Sequence, residues 1–171
     1  MKKWLGMALW ALAMFPMATL QAAGVSGESW VISGYNEPEG DRAGVEVSYL
    51  KVGRSYLGFK ASGVLYVGKN DQKFDDLFGG YSASGFFHFN QPLNPYVGAG
   101  LFMGRTFNCS SQQQQSDACL EDYVVAVYPE AGLMLQLDDF LIAPFVRRYF
   151  DTNSNADPVN AFGVSLGYRF R

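Results

Sequence analysis

Polar and apolar residues alternate in this chain, and the alternation recurs from end to end. From Tyr123 to Leu137 the odd positions Tyr123, Val125, Val127, Pro129, Ala131, Leu133, Leu135 and Leu137 form one apolar row. Opposite them stand Val124, Ala126, Tyr128, Glu130, Gly132, Met134 and Gln136. A two-residue period is the mark of a strand with unlike faces, and it excludes a helix of that length. The same period runs through Ser55–Gly68, Tyr81–Phe89 and Val159–Phe170. In the last of these Phe162, Val164, Leu166, Tyr168 and Phe170 oppose Ala161, Gly163, Ser165, Gly167 and Arg169.

Extending this reading gives eight strands, at roughly 28–35, 42–51, 54–68, 79–90, 95–107, 121–137, 139–150 and 159–170. Pro129 lacks a ladder donor, which predicts a bulge or other irregularity in the sixth. The seventh is ambiguous, because Phe140, Ile142, Pro144 and Val146 compete with Leu141, Ala143, Phe145 and Tyr149 for one apolar face. The choice leaves open which of Arg147 and Arg148 points inward.

The glycines bear on which face is the core. Gly58, Gly98, Gly100, Gly104, Gly132, Gly163 and Gly167 all lie opposite the apolar rows. The interior of an eight-stranded barrel is narrow and filled by side chains. Small residues there make room for large ones, so the glycine face is expected inside and the apolar rows outside. Lys60, Glu46, Glu130 and Arg169, with one of the two neighbouring arginines, then form a buried polar network in the lumen, since buried charges must be paired.

The connections alternate in length. Val52-Gly53-Arg54, Gln91–Asn94 and the vicinity of Asp138 are short, and the others are longer and polar. Short turns at one end and long loops at the other describe an outer-membrane barrel with both termini on the periplasmic side. Met1-Lys2-Lys3, the uncharged stretch Trp4–Leu20 and Gln21-Ala22-Ala23 read as a secretory leader cleaved near Ala22 or Ala23. Residues 1–23 are thus a signal peptide and 24–171 one barrel domain. Thirteen Lys and Arg face sixteen Asp and Glu, with no basic run, so nucleic acid is not an expected partner.

N-P-Y-V-G-A-G-L at Asn94–Leu101 and F-G-V-S-L-G-Y-R-F at Phe162–Phe170 resemble the small eight-stranded outer-membrane β-barrels of the OmpA, OmpX and opacity-protein group. The resemblance covers the mature chain in rhythm and these two stretches in wording. It implies an all-β, eight-stranded antiparallel up-and-down transmembrane barrel in the outer membrane of a Gram-negative bacterium. It also implies that Tyr168 and Phe170 are the recognition signal for the barrel-assembly machinery, although Arg171 follows the terminal aromatic. Outer-membrane lipid and lipopolysaccharide would surround such a barrel.

Chemistry is harder to find. Cys109 and Cys119, the two cysteines, flank a polar stretch and are expected to form a disulfide in an oxidising compartment. They do not fill a metal shell, and no metal or cofactor is expected. The one histidine, His88, falls on the lumen face near the turn end, a poor place for a nucleophile's base. Asp75-Asp76 and Asp138-Asp139 read as turn residues. Phe74, Leu77 and Phe78 are apolar residues in a polar loop, and they are the candidates for a surface contact. The expected function is that of a non-enzymatic outer-membrane barrel whose loops serve envelope integrity, adhesion or ligand contact. The alternatives are an outer-membrane lipid-modifying enzyme and a soluble lipocalin-like carrier with its apolar rows inside.

Overall fold

The computed structural model describes residues 26–38, 42–68, 77–89, 93–108, 120–152 and 157–170, with the side chains at 77, 78, 106–108 and 120–122 outside the description. The leader and both cysteines lie outside the described residues, as does Phe74. Eight strands follow one another: β1 (Gly27–Glu37), β2 (Arg42–Val52), β3 (Leu57–Gly68), β4 (Leu77–His88), β5 (Leu93–Asn108), β6 (Leu120–Leu137), β7 (Phe140–Asp151) and β8 (Val159–Phe170). Each pairs antiparallel with its neighbours in sequence, and β1 pairs with β8 to close the barrel. Closure leaves no sheet edge with unmet backbone groups.

The turns explain the registers. β6 and β7 are joined by Asp138-Asp139 alone, and Asp138 takes the left-handed conformation (φ 55°) that tight hairpins require and Asp tolerates. At the β2–β3 turn the Gly53 amide donates to the Leu57 carbonyl at 2.8 Å. A side chain at Gly53 would strike that carbonyl at 2.6 Å, so the residue must be glycine.

Pro129 does not insert a bulge. The β6–β7 partners run Val127↔Phe150 and then Glu130↔Arg147, so equal lengths of chain pass on both sides of a local gap. On its other side Pro129 keeps its place opposite Ala99. Leu77 and Phe78, expected in a loop, begin β4 instead, opposite Val67 and Tyr66 on one side and Phe107 and Thr106 on the other. The extended upper ends of β3 and β5 offer backbone partners there, and the ladder continues past the polar run.

The faces are sorted as a membrane barrel requires. Trp30, Ile32, Phe59, Leu93, Leu133, Phe140, Leu166 and Tyr168 are exposed on the outside, while Glu46, Lys60, Glu130 and Arg147 are buried. β7 turns Phe140, Pro144, Val146, Arg148 and Phe150 outward and Leu141, Ala143, Phe145, Arg147 and Tyr149 inward. This is the reverse of a lipocalin-like carrier, whose apolar rows would line the interior.

Several inward glycines sit under aromatic rings. A Cβ at Gly100 would overlap the Tyr128 ring, one at Gly58 the Phe86 ring, and one at Gly44 the Tyr35 ring. Gly132 lies under Tyr96, and Gly163 under Phe145. The space freed by these glycines is taken by aromatics, while Gly27 makes room for the Arg169 side chain. Gly34, Gly63 and Gly85 break the pattern: they face outward, and nothing lies within 4 Å of a Cβ placed on them.

Candidate functional site

The lumen is built in layers. Near its middle Glu46 (β2), Lys60 (β3), Glu130 (β6) and Arg147 (β7) form one ion-pair cluster reaching from one wall to the opposite one. Lys60 Nζ donates to both Glu130 carboxylate oxygens at 3.0 and 3.1 Å, and it lies 3.4 Å from Glu46 Oε1. Arg147 donates from Nη1 to Glu46 Oε2 at 2.9 Å and from Nε to Glu130 Oε2 at 2.8 Å. Neutral donors complete the carboxylates: Ser62 and Ser48 to Glu46 at 2.7 and 3.0 Å, and Tyr96 to Glu130 at 2.9 Å. Two cations meet two carboxylates, so the cluster is neutral as a whole. Every member has its charge compensated, as burial at this depth demands.

Toward the long-loop end the cluster is roofed by rings. Tyr35, Tyr66, Phe102, Tyr128 and Tyr149 pack against one another with centroids 5.2–6.5 Å apart, mostly edge to face. The Arg147 guanidinium stands 4.5 Å from the Tyr128 ring and 5.0 Å from that of Phe145. Such placement adds cation–π attraction to the ion pairs.

Below the cluster, toward the short turns, Phe86, Tyr96, Met134 and Leu141 fill the section. At the base His88 Nε2 lies 3.0 Å from the Gly53 carbonyl oxygen, and His88 Nδ1 lies 3.3 Å from the Asn94 amide nitrogen. The voids beside Lys60 and beside Gln136 measure about 20 and 10 Å³, room for a water and not for a ligand. Among the described residues, side chains thus fill the middle and the turn end of the lumen.

The structure brings together Glu46, Lys60 and Glu130, and of the two neighbouring arginines left open by the sequence it is Arg147 that joins them. Arg169 is not with them. It lies at the turn end, where its guanidinium is 3.9 Å from the Asp139 carboxylate and partly exposed. The reason is its place near the end of β8, opposite Ser29, well below the cluster. Arg147 takes the fourth position. The signal for it was in the sequence: Glu130 and Arg147 are equally far from the Asp138-Asp139 turn, so a two-residue hairpin makes them partners. Tyr168 and Phe170 lie on the outer face of β8, and Tyr168 packs edge-on against both Phe140 and Phe170.

No protein-family model and no curated protein sequence matches the chain. Solved structures do. The N-terminal β-barrel domain of Pseudomonas aeruginosa OprF aligns with a TM-score of 0.60 at 18% identity, covering 86% of this chain and 99% of that one. Neisserial surface protein A aligns at 0.62 and 13% identity, covering 84% and 94%. Ail, the attachment invasion locus protein of Yersinia pestis, aligns at 0.51 and 20% identity, covering 85% and 100%. At such identities the likeness is one of fold, and the fold is that of the small eight-stranded outer-membrane barrels.

Proposed function

We propose that the chain is an integral, non-enzymatic outer-membrane β-barrel of a Gram-negative bacterium, closed to solutes, whose polar loops contact partners at the cell surface. The observation that carries this is the inverted solvation of the barrel. Its outward rows are largely apolar, and the ion-pair cluster of Glu46, Lys60, Glu130 and Arg147 is buried in the lumen. In water that arrangement would expose an apolar surface on all sides. In a bilayer it places hydrocarbon against hydrocarbon and leaves the charges paired inside.

The leader predicted over residues 1–23 supplies the export route. The aromatic end of β8, Tyr168 and Phe170, is the signal for the barrel-assembly machinery. His88 is engaged with a backbone carbonyl and an amide at the base of the lumen, at the end away from the long loops. Function then falls to the loop end, with the Cys109–Cys119 loop and Phe74 as contact candidates. The attachment named for the similarly folded Ail favours adhesion among the roles open to such loops.

Cell fractionation and electrophoresis with and without boiling test the reading. The protein should stay with the outer membrane and change mobility on heating, because a closed sheet resists detergent until heated. Recovery in the soluble periplasm with a single mobility would overturn it.

A further inference from the structure

The outer wall is not uniformly smooth. Where β2, β3, β4 and β5 pass one another near the long-loop end, a groove of about 780 Å³ opens on the outside of the barrel. Its floor holds Gly63 and Gly79, and Val47, Leu65, Tyr81 and Met103 rise around it. Gly63 is opposite Tyr81, one of the most exposed rings on the wall at 78%, yet no atom lies within 4 Å of where a Gly63 Cβ would stand. The groove is a trough beside a projecting ring.

Its upper rim is charged. Arg105 points outward from β5, stacks over the Tyr123 ring at 4.5 Å and hydrogen-bonds the Tyr123 hydroxyl. At about 3.3 Å per residue and a tilt of about 40°, Arg105 stands about 30 Å above Leu93, just past an apolar band about 25 Å tall. That is headgroup level. Arg148, whose guanidinium lies 5.5 Å from the Phe150 ring, is a second outward-facing cation of the loop half.

We propose that the groove seats one acyl chain of an anionic, phosphate-bearing lipid of the surrounding leaflet, with the phosphate against Arg105. The trough is largely apolar and crosses adjacent strands, where Val47, Gly63, Tyr81 and Met103 stand opposite one another, and a guanidinium at its rim matches a phosphate in charge and in donor geometry. Tyr81 and Tyr123 flank the chain at the level where amphipathic rings settle.

This inference rests on the outer-membrane reading above. The test uses the full chain purified in detergent and native mass spectrometry with added dimyristoylphosphatidylglycerol or dimyristoylphosphatidylcholine. The wild type should retain one phosphatidylglycerol in preference to phosphatidylcholine. Arg105→Gln should weaken that adduct about tenfold, the scale of one lost charge-assisted contact, and Arg105→Lys should restore part of it. Gly63→Leu should remove the adduct by filling the trough, while Gly85→Leu, at an equally open outward site, should not.

Equal retention of both lipids, or equal effects of the two leucine variants, would overturn the proposal. Heat-modifiable mobility of each variant separates the outcomes. A protein that shifts on heating but shows no lipid preference defeats the groove alone. A protein with no heat shift defeats the barrel reading.

Discussion

Arg147 and Glu130 face each other across the β6–β7 hairpin, with the guanidinium Nη2 2.6 Å from the carboxylate, and the same guanidinium reaches Glu46 on the opposite wall. One planar group thus joins two carboxylates from different parts of the barrel. Lys60 also lies against both carboxylates, but as a point charge, whereas the planar guanidinium gives each of them a separate directed donor.

Removal of Arg147 should therefore cost far more than a surface ion pair. Arg147→Ala leaves two buried carboxylates with Lys60 as their only remaining cation, and breaking a buried pair from one side costs about 3–5 kcal/mol. Arg147→Lys should recover only part of it. The double variant Arg147→Met with Glu130→Met should be milder than Arg147→Ala, because Lys60 and Glu46 remain as a balanced pair 3.4 Å apart. Urea unfolding in lipid vesicles, followed by the fluorescence of Trp30 on the outer wall, measures all three. A double variant as unstable as the single would show that packing, not charge balance, sets the cost.

The glycines give a second contrast. Gly100→Ala drives a methyl into the Tyr128 ring, which lies in a packed layer, and overpacking of this kind costs about 1–3 kcal/mol. Tyr128→Leu in the same chain should recover part of the loss by withdrawing the ring. Gly34→Ala, on the outer wall with nothing within 4 Å, should leave the unfolding midpoint nearly unchanged. The same vesicle assay decides, and equal effects at both sites would contradict the lumen packing described above.

Much of this architecture is legible in the period of the chain. All eight strands are predicted from alternation, because a barrel in lipid keeps each face consistent along each strand. β7 resists, since both of its faces are apolar and its two arginines are adjacent. Its orientation follows only from pairing, when the short hairpin sets Arg147 beside Glu130. Arg169 misleads for the opposite reason. Its parity is correct, but parity gives the face and not the height, and a residue near the end of β8 cannot reach the middle of the lumen. The groove is illegible from one strand alone, since Gly63 and Gly79 meet Val47 and Met103 only after four strands are in register.

Cys109 and Cys119 lie outside the described residues, and their pairing is a prediction from sequence and compartment. The oxidised protein should bind no thiol reagent until reduced and should then bind two equivalents. Reduction should lower stability by about 2–3 kcal/mol in the chain-entropy account of a short loop. Labelling without reductant would show free thiols and remove the constraint from the loop end.

His88 and Asn94 at the base of the lumen support the sharpest spectroscopic prediction. A carbonyl oxygen only accepts, so the contact with Gly53 assigns the proton of His88 to Nε2. Nδ1 then accepts from the Asn94 amide, whose oxygen in turn accepts the Phe89 amide proton at 2.9 Å. The chain of bonds ties the β2–β3 turn to the β4–β5 turn, and it works for one tautomer. Nitrogen chemical shifts of the imidazole should report Nε2–H, and Nδ1–H would refute the arrangement. Asn94→Leu keeps the bulk but leaves Nδ1 unmet in a buried place, at about 1–3 kcal/mol, and leaves the Phe89 amide its longer 3.3 Å bond to the Pro95 carbonyl. Hydrogen exchange at Phe89 should quicken in that variant while the amides of β7, on the far side of the barrel, stay protected.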